Sequence, residues 1–298
     1  MKKMHGVITA MVTPFDKEDK VDIRIVKAYT DFLIKSGVHC LYPTGTTGEC
    51  LKLSSNERKL IAETVVAQAD KRIDVFIHTG AMTTKETIEL SKHAHSIGAD
   101  GIGVVTPQFF CVNDKEMEEF YVSVSKALPD DFPIYIYCIP QCAGNDIKPE
   151  IIERILKRTK NIIGVKYSYP DFVRVKDYLL CNGGNFSVVV GSDRLFLPAL
   201  AMGCDGTVTG CVNAGPSKFV EVYEKFQKGD LKGAQAAQKF TAEICEITKN
   251  GSNMAIFKYA LERQGLPQSF MRAPALDLTQ EEKNQMDKAL KDYESRIK

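Results

Sequence analysis

The stretch Asn161-Ile162-Ile163-Gly164-Val165-Lys166-Tyr167-Ser168 is an apolar run that closes on a lysine. Its length suits one strand, and its lack of polar alternation implies cover on both faces, as in a parallel sheet wrapped by helices. One unit upstream another apolar run ends in Tyr137-Cys138-Ile139-Pro140, and Tyr137 precedes Lys166 by 29 residues. That interval is about one strand–loop–helix repeat, which puts the two side chains on adjacent strands at similar height. Moving outward, the same unit recurs, with strands expected near residues 6–12, 39–43, 73–79, 100–106, 132–139, 161–167, 186–191 and 204–210. Between them, 25–36, 56–69, 85–96 and 116–128 carry the i, i+3, i+4 apolar spacing of helices. Ser54 and Ser55 ahead of Glu57, and Asn113 and Asp114 ahead of Glu116, supply helix starts. Eight such units over residues 1–228 predict an α/β fold, a (β/α)8 TIM barrel serving as catalytic domain. A doubly wound sheet competes, but no Gly-x-Gly-x-x-Gly follows the first strand. Residues 229–298 read as three helices and no strand, a C-terminal all-helical extension packed on the barrel, with no Pro-, Gly- or Ser-rich linker before it.

Composition narrows the function. The 298 residues are 44% hydrophobic, enough for a large core, and the net charge of +1 shows no bias toward nucleic acid. No apolar stretch reaches the ~18–20 residues of a membrane span. The start, Met1-Lys2-Lys3-Met4-His5, leads straight into a strand and lacks the apolar core of a signal peptide. Nine scattered cysteines suggest a reducing compartment, so a cytoplasmic location is expected. No Cys-x-x-Cys occurs, Cys138 and Cys142 are split by a proline, and His93 and His95 point to different helix faces. Buried thiols are therefore expected rather than a metal site.

In such a barrel, chemistry sits at the C-terminal ends of the strands. Gly45-Thr46-Thr47-Gly48-Glu49 follows the second strand, where a tight turn could aim amides and hydroxyls at a small anion; taken alone, such turns are often only structural. Tyr137 ends the fifth strand, and a tyrosine there is ordinarily a core ring with a satisfied hydroxyl. Lys166 ends the sixth. A lone strand-end lysine usually snorkels to solvent. Here Gly164 shares its parity and clears space beside it, and Ile162 is placed on the same face. A desolvated amine loses its proton near neutral pH. Beside a tyrosine hydroxyl it is equipped to form a Schiff base with a 2-keto acid. The iminium then acts as electron sink, so no metal, nucleotide or flavin cofactor is called for.

These residues resemble the dihydrodipicolinate synthase/N-acetylneuraminate lyase family of class I, pyruvate-dependent aldolases. The resemblance covers nearly the whole chain. It includes the opening Gly6-Val7-Ile8-Thr9-Ala10-Met11-Val12-Thr13-Pro14-Phe15, the Gly-Thr-Thr-Gly-Glu turn, Tyr-x-x-Pro and the Gly-x-Lys strand end. It extends to Gly191-Ser192-Asp193, Gly206-Thr207-Val208 and Arg272-Ala273-Pro274. It implies the barrel with a helical C-terminal region, usually a homotetramer built as a dimer of dimers. By the same likeness Lys166 is the Schiff-base lysine and Tyr137 the proton shuttle. Thr46 and Thr47 bind the pyruvate carboxylate, with Thr47 also hydrogen-bonding Tyr137. Gly191 and the carbonyl of Val208 line the pocket.

The departures bear on the substrate. The synthases place an arginine after Tyr-x-x-Pro to hold the second substrate's carboxylate, and here that position is Cys142. They also reach a tyrosine across the dimer from a Thr-Pro-Tyr-Tyr segment, which reads Thr106-Pro107-Gln108-Phe109-Phe110 in this chain. The sialic acid lyases usually read Gly-Ser-Thr-Gly-Glu and carry an Asp-Glu pair and a serine, against Thr46, Asp193-Arg194 and Gly210 here. Asp193 and Ser168 can still bind a polyol, while Arg194 either meets a substrate carboxylate or, as the favoured reading, starts the next helix at the surface. The expectation is therefore an aldolase that makes or consumes pyruvate, its partner an aldehyde or keto acid from a 2-keto-3-deoxy sugar acid. One alternative is 4-hydroxy-tetrahydrodipicolinate synthase, which needs another cation in place of the arginine. Another is a non-catalytic keto-acid-binding paralogue, which an intact Lys166, Tyr137 and threonine pair disfavours.

Overall fold

A computed structural model describes residues 1–296. Eight strands form a closed parallel barrel in chain order: β1 (Gly6–Ala10), β2 (Cys40–Tyr42), β3 (Asp74–His78), β4 (Gly101–Val105), β5 (Ile134–Cys138), β6 (Ile162–Tyr167), β7 (Ser187–Val190) and β8 (Gly206–Thr209). β1 pairs with β8, Gly6 against Gly206 through Thr9 against Thr209, which closes the sheet and leaves no edge. Each expected strand is present, trimmed by a residue or more where the backbone turns into its loop. The helices Ser55–Ala69 and Asp114–Lys126 start with capping boxes, Ser54 with Glu57 and Asn113 with Glu116, as their sequences predict.

The strands bury both faces. Val7, Leu41, Val75, Ile77, Val104, Ile136, Val165 and Val188 point outward and pack under the helices. Ile8, Ala10, Tyr42, Phe76, Tyr135, Val189 and Val208 fill the interior. The interior fits because rings on one strand lie over glycines on the next strand or the one beyond it. A Cβ on Gly103 would come 2.0 Å from the Tyr42 hydroxyl, and one on Gly101 would come 2.4 Å from the Phe76 ring. Lower down, the Tyr135 hydroxyl takes a hydrogen bond from the Met4 amide at 3.0 Å and shares one with Ser187 at 2.7 Å.

Two parity expectations for β6 change. The pairing of β5 with β6 shifts between Ile134 and Tyr135, so Ile134 faces Ile162 while Tyr135 faces Gly164. This bulge turns Ile162 outward into the helix-facing core and sets Ile163 against the interior. The room beside Gly164 is taken by the Tyr135 ring, 2.5 Å from where a Cβ would sit, and by Ser187. Gly164 thus packs the layer beneath Lys166 rather than freeing the lysine itself.

Three helices follow the barrel's last helix, at Leu231–Ile247, Met254–Arg263 and Gln280–Arg296. Gln264 donates to the carbonyl of Asn213 at 2.9 Å, and Asn213 donates to that of Ala10 at 2.9 Å, so the extension is tied to the C-terminal rim where β8 meets β1. Among the described residues no helix is long and apolar enough to cross a membrane.

Candidate active site

Tyr137 and Lys166 are register partners on β5 and β6, and both side chains point inward near the C-terminal rim. Lys166 is 3% exposed. Its Nζ lies 3.7 Å from the centre of the Tyr137 ring and 4.7 Å from that of Tyr42. Burial pulls the amine down from 10.5 to about 7, against a weaker upward pull from the charge of Asp193. A strand-end lysine held this way is half deprotonated at neutral pH and keeps its nucleophilic lone pair.

The Tyr137 hydroxyl is hydrogen-bonded to Thr46 Oγ1 at 3.0 Å. This corrects the sequence expectation, which gave that contact to Thr47. Thr47 stands beside it on the cavity wall. Burial raises Tyr137 well above the usual phenol range, with Thr46 and Ser168 opposing, so its hydroxyl stays a neutral O–H at neutral pH. Beneath it Tyr42 and His78 pack edge-on to the Tyr137 ring, at 6.3 and 5.8 Å.

The Thr46–Thr47 turn is fixed from several directions. Its left-handed positions belong to Thr44 and Glu49, both at φ 57°, and not to its glycines. Gly48 is needed for closeness, since a Cβ there would sit 3.0 Å from the Met11 carbonyl oxygen and from the Thr44 amide. Thr13 donates to the Gly48 carbonyl at 2.7 Å. Glu49, buried, pairs with Lys52 and with Lys258 at 2.8 Å each; Lys258 reaches in from the C-terminal extension.

All eight residues singled out in the sequence line one cavity of about 240 Å³: Thr46, Thr47, Tyr137, Lys166, Ser168, Gly191, Asp193 and Val208. Gly191 is required by Ser168, whose hydroxyl would lie 2.0 Å from a Cβ there. The structure adds residues the sequence reading missed. Asn250, Gly251, Met254 and Phe257 come from the extension, and Gln141 and Cys211 come from the barrel loops. Gln141 donates to the Ser168 carbonyl at 2.7 Å. The one local signal for the extension's share was Asn250-Gly251, a turn dipeptide that here takes φ of 52° and 72°.

Asp193, Cys211 and Cys245 place a carboxylate oxygen and two sulfurs within 4.8 Å of one another, a potential ligand set that cysteine spacing had not revealed. Cys245, burial and Asp193 all push the Cys211 thiol up, which favours hydrogen-bonded thiol over thiolate. Burial likewise raises Asp193, opposed by hydrogen bonds from Cys211 and Thr209.

A family model described as the dihydrodipicolinate synthetase family matches residues 3–293. The chain is 28% identical over 291 residues to the probable 2-dehydro-3-deoxy-D-pentonate aldolase YjhH of Escherichia coli K12, covering 96% of each. It is 29% identical to the 4-hydroxy-tetrahydrodipicolinate synthase of Methanococcus aeolicus, over 97% of this chain and 99% of that one. The crystal structure of YagE, an E. coli K12 prophage protein of the dihydrodipicolinic acid synthase family in complex with pyruvate, superposes with a TM-score of 0.92. There the identity is 28%, with 97% of this chain and 98% of that chain covered.

Proposed function

The chain belongs to the dihydrodipicolinate synthetase family, whose members are class I aldolases and lyases, and on that premise we propose that it reversibly cleaves a 2-keto-3-deoxy sugar acid to pyruvate and an aldehyde. One observation carries the reading: a buried lysine of lowered pKa, in register with a tyrosine whose hydroxyl is held by Thr46. The neutral Lys166 amine attacks the C2 carbonyl, and loss of water from the carbinolamine leaves a protonated imine. The C4 hydroxyl proton passes out through the Tyr137–Thr46 pair, which later returns one to C3. The C3–C4 bond then breaks, its electrons pass into the iminium to give an enamine, and the aldehyde leaves. Protonation at C3 and hydrolysis of the imine return pyruvate and the free amine. Thr46, Thr47 and neighbouring amides hold the C1 carboxylate, and Gly191 and Val208 bound the keto end. Asp193 and Ser168 face the sugar hydroxyls.

The sugar-acid reading is favoured over the synthase by Cys142. It lies on the rim between the lysine cavity and a neighbouring one of about 320 Å³, where the resemblance expects an arginine. The lysine that lines that second cavity, Lys52, is already held by Glu49 and by the Arg272 carbonyl. The proposal includes a homotetramer, supported by exposed Leu51, Phe109 and Phe110 beside the site, and light scattering of the purified protein tests it.

Borohydride reduction in the presence of pyruvate, followed by peptide mass mapping, tests the chemistry. An adduct on Lys166 is expected, and folded protein without one would overturn the aldolase reading. Turnover of aspartate semialdehyde with pyruvate at an ordinary rate would favour the synthase instead.

A further inference from the structure

Beyond the lysine cavity a groove of about 450 Å³ continues outward, lined by Gln141, Ser168, Ser192, Asp193, Arg194 and Asn250. Gln141, Ser168, Gly191, Asp193 and Asn250 belong to both spaces, so the groove adjoins the lysine cavity along a shared wall. The chain has ten arginines. Eight are in ion pairs, and Arg58 is buried with its guanidinium on the carbonyls of His78 and Gly80. Arg194 alone has no hydrogen-bond or ion-pair partner for its guanidinium among the described residues.

Its backbone, by contrast, is fixed. Arg194 sits in the short turn Asp193–Leu195. Gln238 of the helix Leu231–Ile247 donates to the Arg194 carbonyl at 3.4 Å and accepts from the Leu197 amide at 2.8 Å. The Leu195 amide closes the turn on the Ser192 carbonyl at 2.9 Å. Asp193 does not neutralise its neighbour, because its carboxyl is engaged by Thr209 and Cys211 on the inner side. The groove thus offers an unpaired planar fork of donors on a braced turn, at the end remote from the lysine.

We propose that this end of the groove is a subsite for an anionic group, a carboxylate or a phosphate, carried on the far end of the substrate. Gln141, Ser168, Ser192 and Asn250 present amides and hydroxyls to the hydroxylated carbons between, and Arg194 takes the anion bidentately. The inference rests on the Schiff-base reading above, because the groove gains its direction from a keto acid held at Lys166. Arg194 is exposed at the start of a helix, as the favoured sequence reading has it, and the groove supports the other reading the sequence left open, a contact to an anionic group of the substrate.

The test is borohydride trapping on Lys166 with four probes: pyruvate, 2-keto-3-deoxygluconate with its neutral far end, the 6-phosphate of that sugar acid, and the 2-keto-3-deoxyaldarate of equal length. The readout is the ratio of half-saturating concentrations, neutral against anionic, in wild type, Arg194→Ala and Arg194→Lys. Wild type should favour an anionic end by about 10- to 100-fold, the range of one charge-assisted contact. Arg194→Ala should bring the ratio to about one, and Arg194→Lys should keep part of it. The better of the two anionic probes identifies carboxylate or phosphate as the natural group. A ratio near one in wild type, or a preference that survives Arg194→Ala, would overturn the subsite while leaving the pyruvate adduct and the aldolase reading in place. No adduct with any probe, pyruvate included, removes both.

Discussion

Replacing Lys166 with methionine should make the protein more stable, and more so at neutral pH than at alkaline pH. The folded amine titrates near 7 and the unfolded one near 10.5, so between those values the unfolded chain holds a proton that the folded chain has released. Folding is therefore penalised at neutral pH, and the penalty fades as pH rises toward 10.5. Converting the shift gives a cost of about 4 kcal/mol at pH 7 and about 1.5 kcal/mol at pH 9.5. The Tyr137 and Tyr42 rings oppose it, since a desolvated cation over an aromatic face gains roughly 2 kcal/mol, but burial is larger. Methionine fills similar space without a charge. Urea unfolding of wild type and Lys166→Met at both pH values isolates the effect, because every other titrating group cancels in the difference. The stability gap should narrow by about 2–3 kcal/mol between pH 7 and pH 9.5. A gap that does not change with pH would refute the claim that burial deprotonates this amine. For the chemistry proposed above the benefit is the same quantity seen from the other side: at pH 7 about half of the amine is neutral, against about one in three thousand for an exposed lysine.

Thr46→Val removes the hydroxyl that bonds Tyr137 and one of the two that hold the carboxylate, so it should lower kcat by about 100-fold or more and raise KM as well, whereas Thr47→Val should act mainly on KM; steady-state kinetics of the two separate proton relay from carboxylate binding. Lys258→Met leaves buried Glu49 with Lys52 as its remaining cation and takes the donor from the Phe270 carbonyl, and should destabilise by about 1–3 kcal/mol in denaturant titrations, an effect that Glu49→Gln in the same chain should partly relieve. Gly191→Ala drives a methyl into the Ser168 hydroxyl and should cost about 1–3 kcal/mol in the same assay, recovered in the double variant with Ser168→Gly.

What the sequence disclosed was whatever depends on short-range periodicity. The eight apolar runs and the capped helices between them are local signals, and the 29-residue interval from Tyr137 to Lys166 becomes direct pairing across β5 and β6 because a barrel repeats once per unit. Parity within β6 was not legible, because a bulge opposite Ile134 inserts a residue and reverses the faces of everything before Gly164. The choice between Thr46 and Thr47 as partner of Tyr137 turns on backbone angles at Thr44 and Glu49, two left-handed non-glycine residues that nothing in the local pattern announces. The contributions of Asn250, Met254 and Phe257 depend on how a helix packs across the whole barrel, a long-range relation that periodicity does not encode.

That last relation also sets an order in time. The lysine is made well before the residues that complete the wall of its cavity. At about 5–20 residues per second, the ~90 residues separating Lys166 from Phe257 take several seconds to leave the ribosome. Until they arrive the cavity lacks part of its wall, and an amine open to water keeps its proton. On the Schiff-base chemistry proposed above, a nascent chain is therefore slow to condense with the cell's keto acids, and the fold itself acts as the timer.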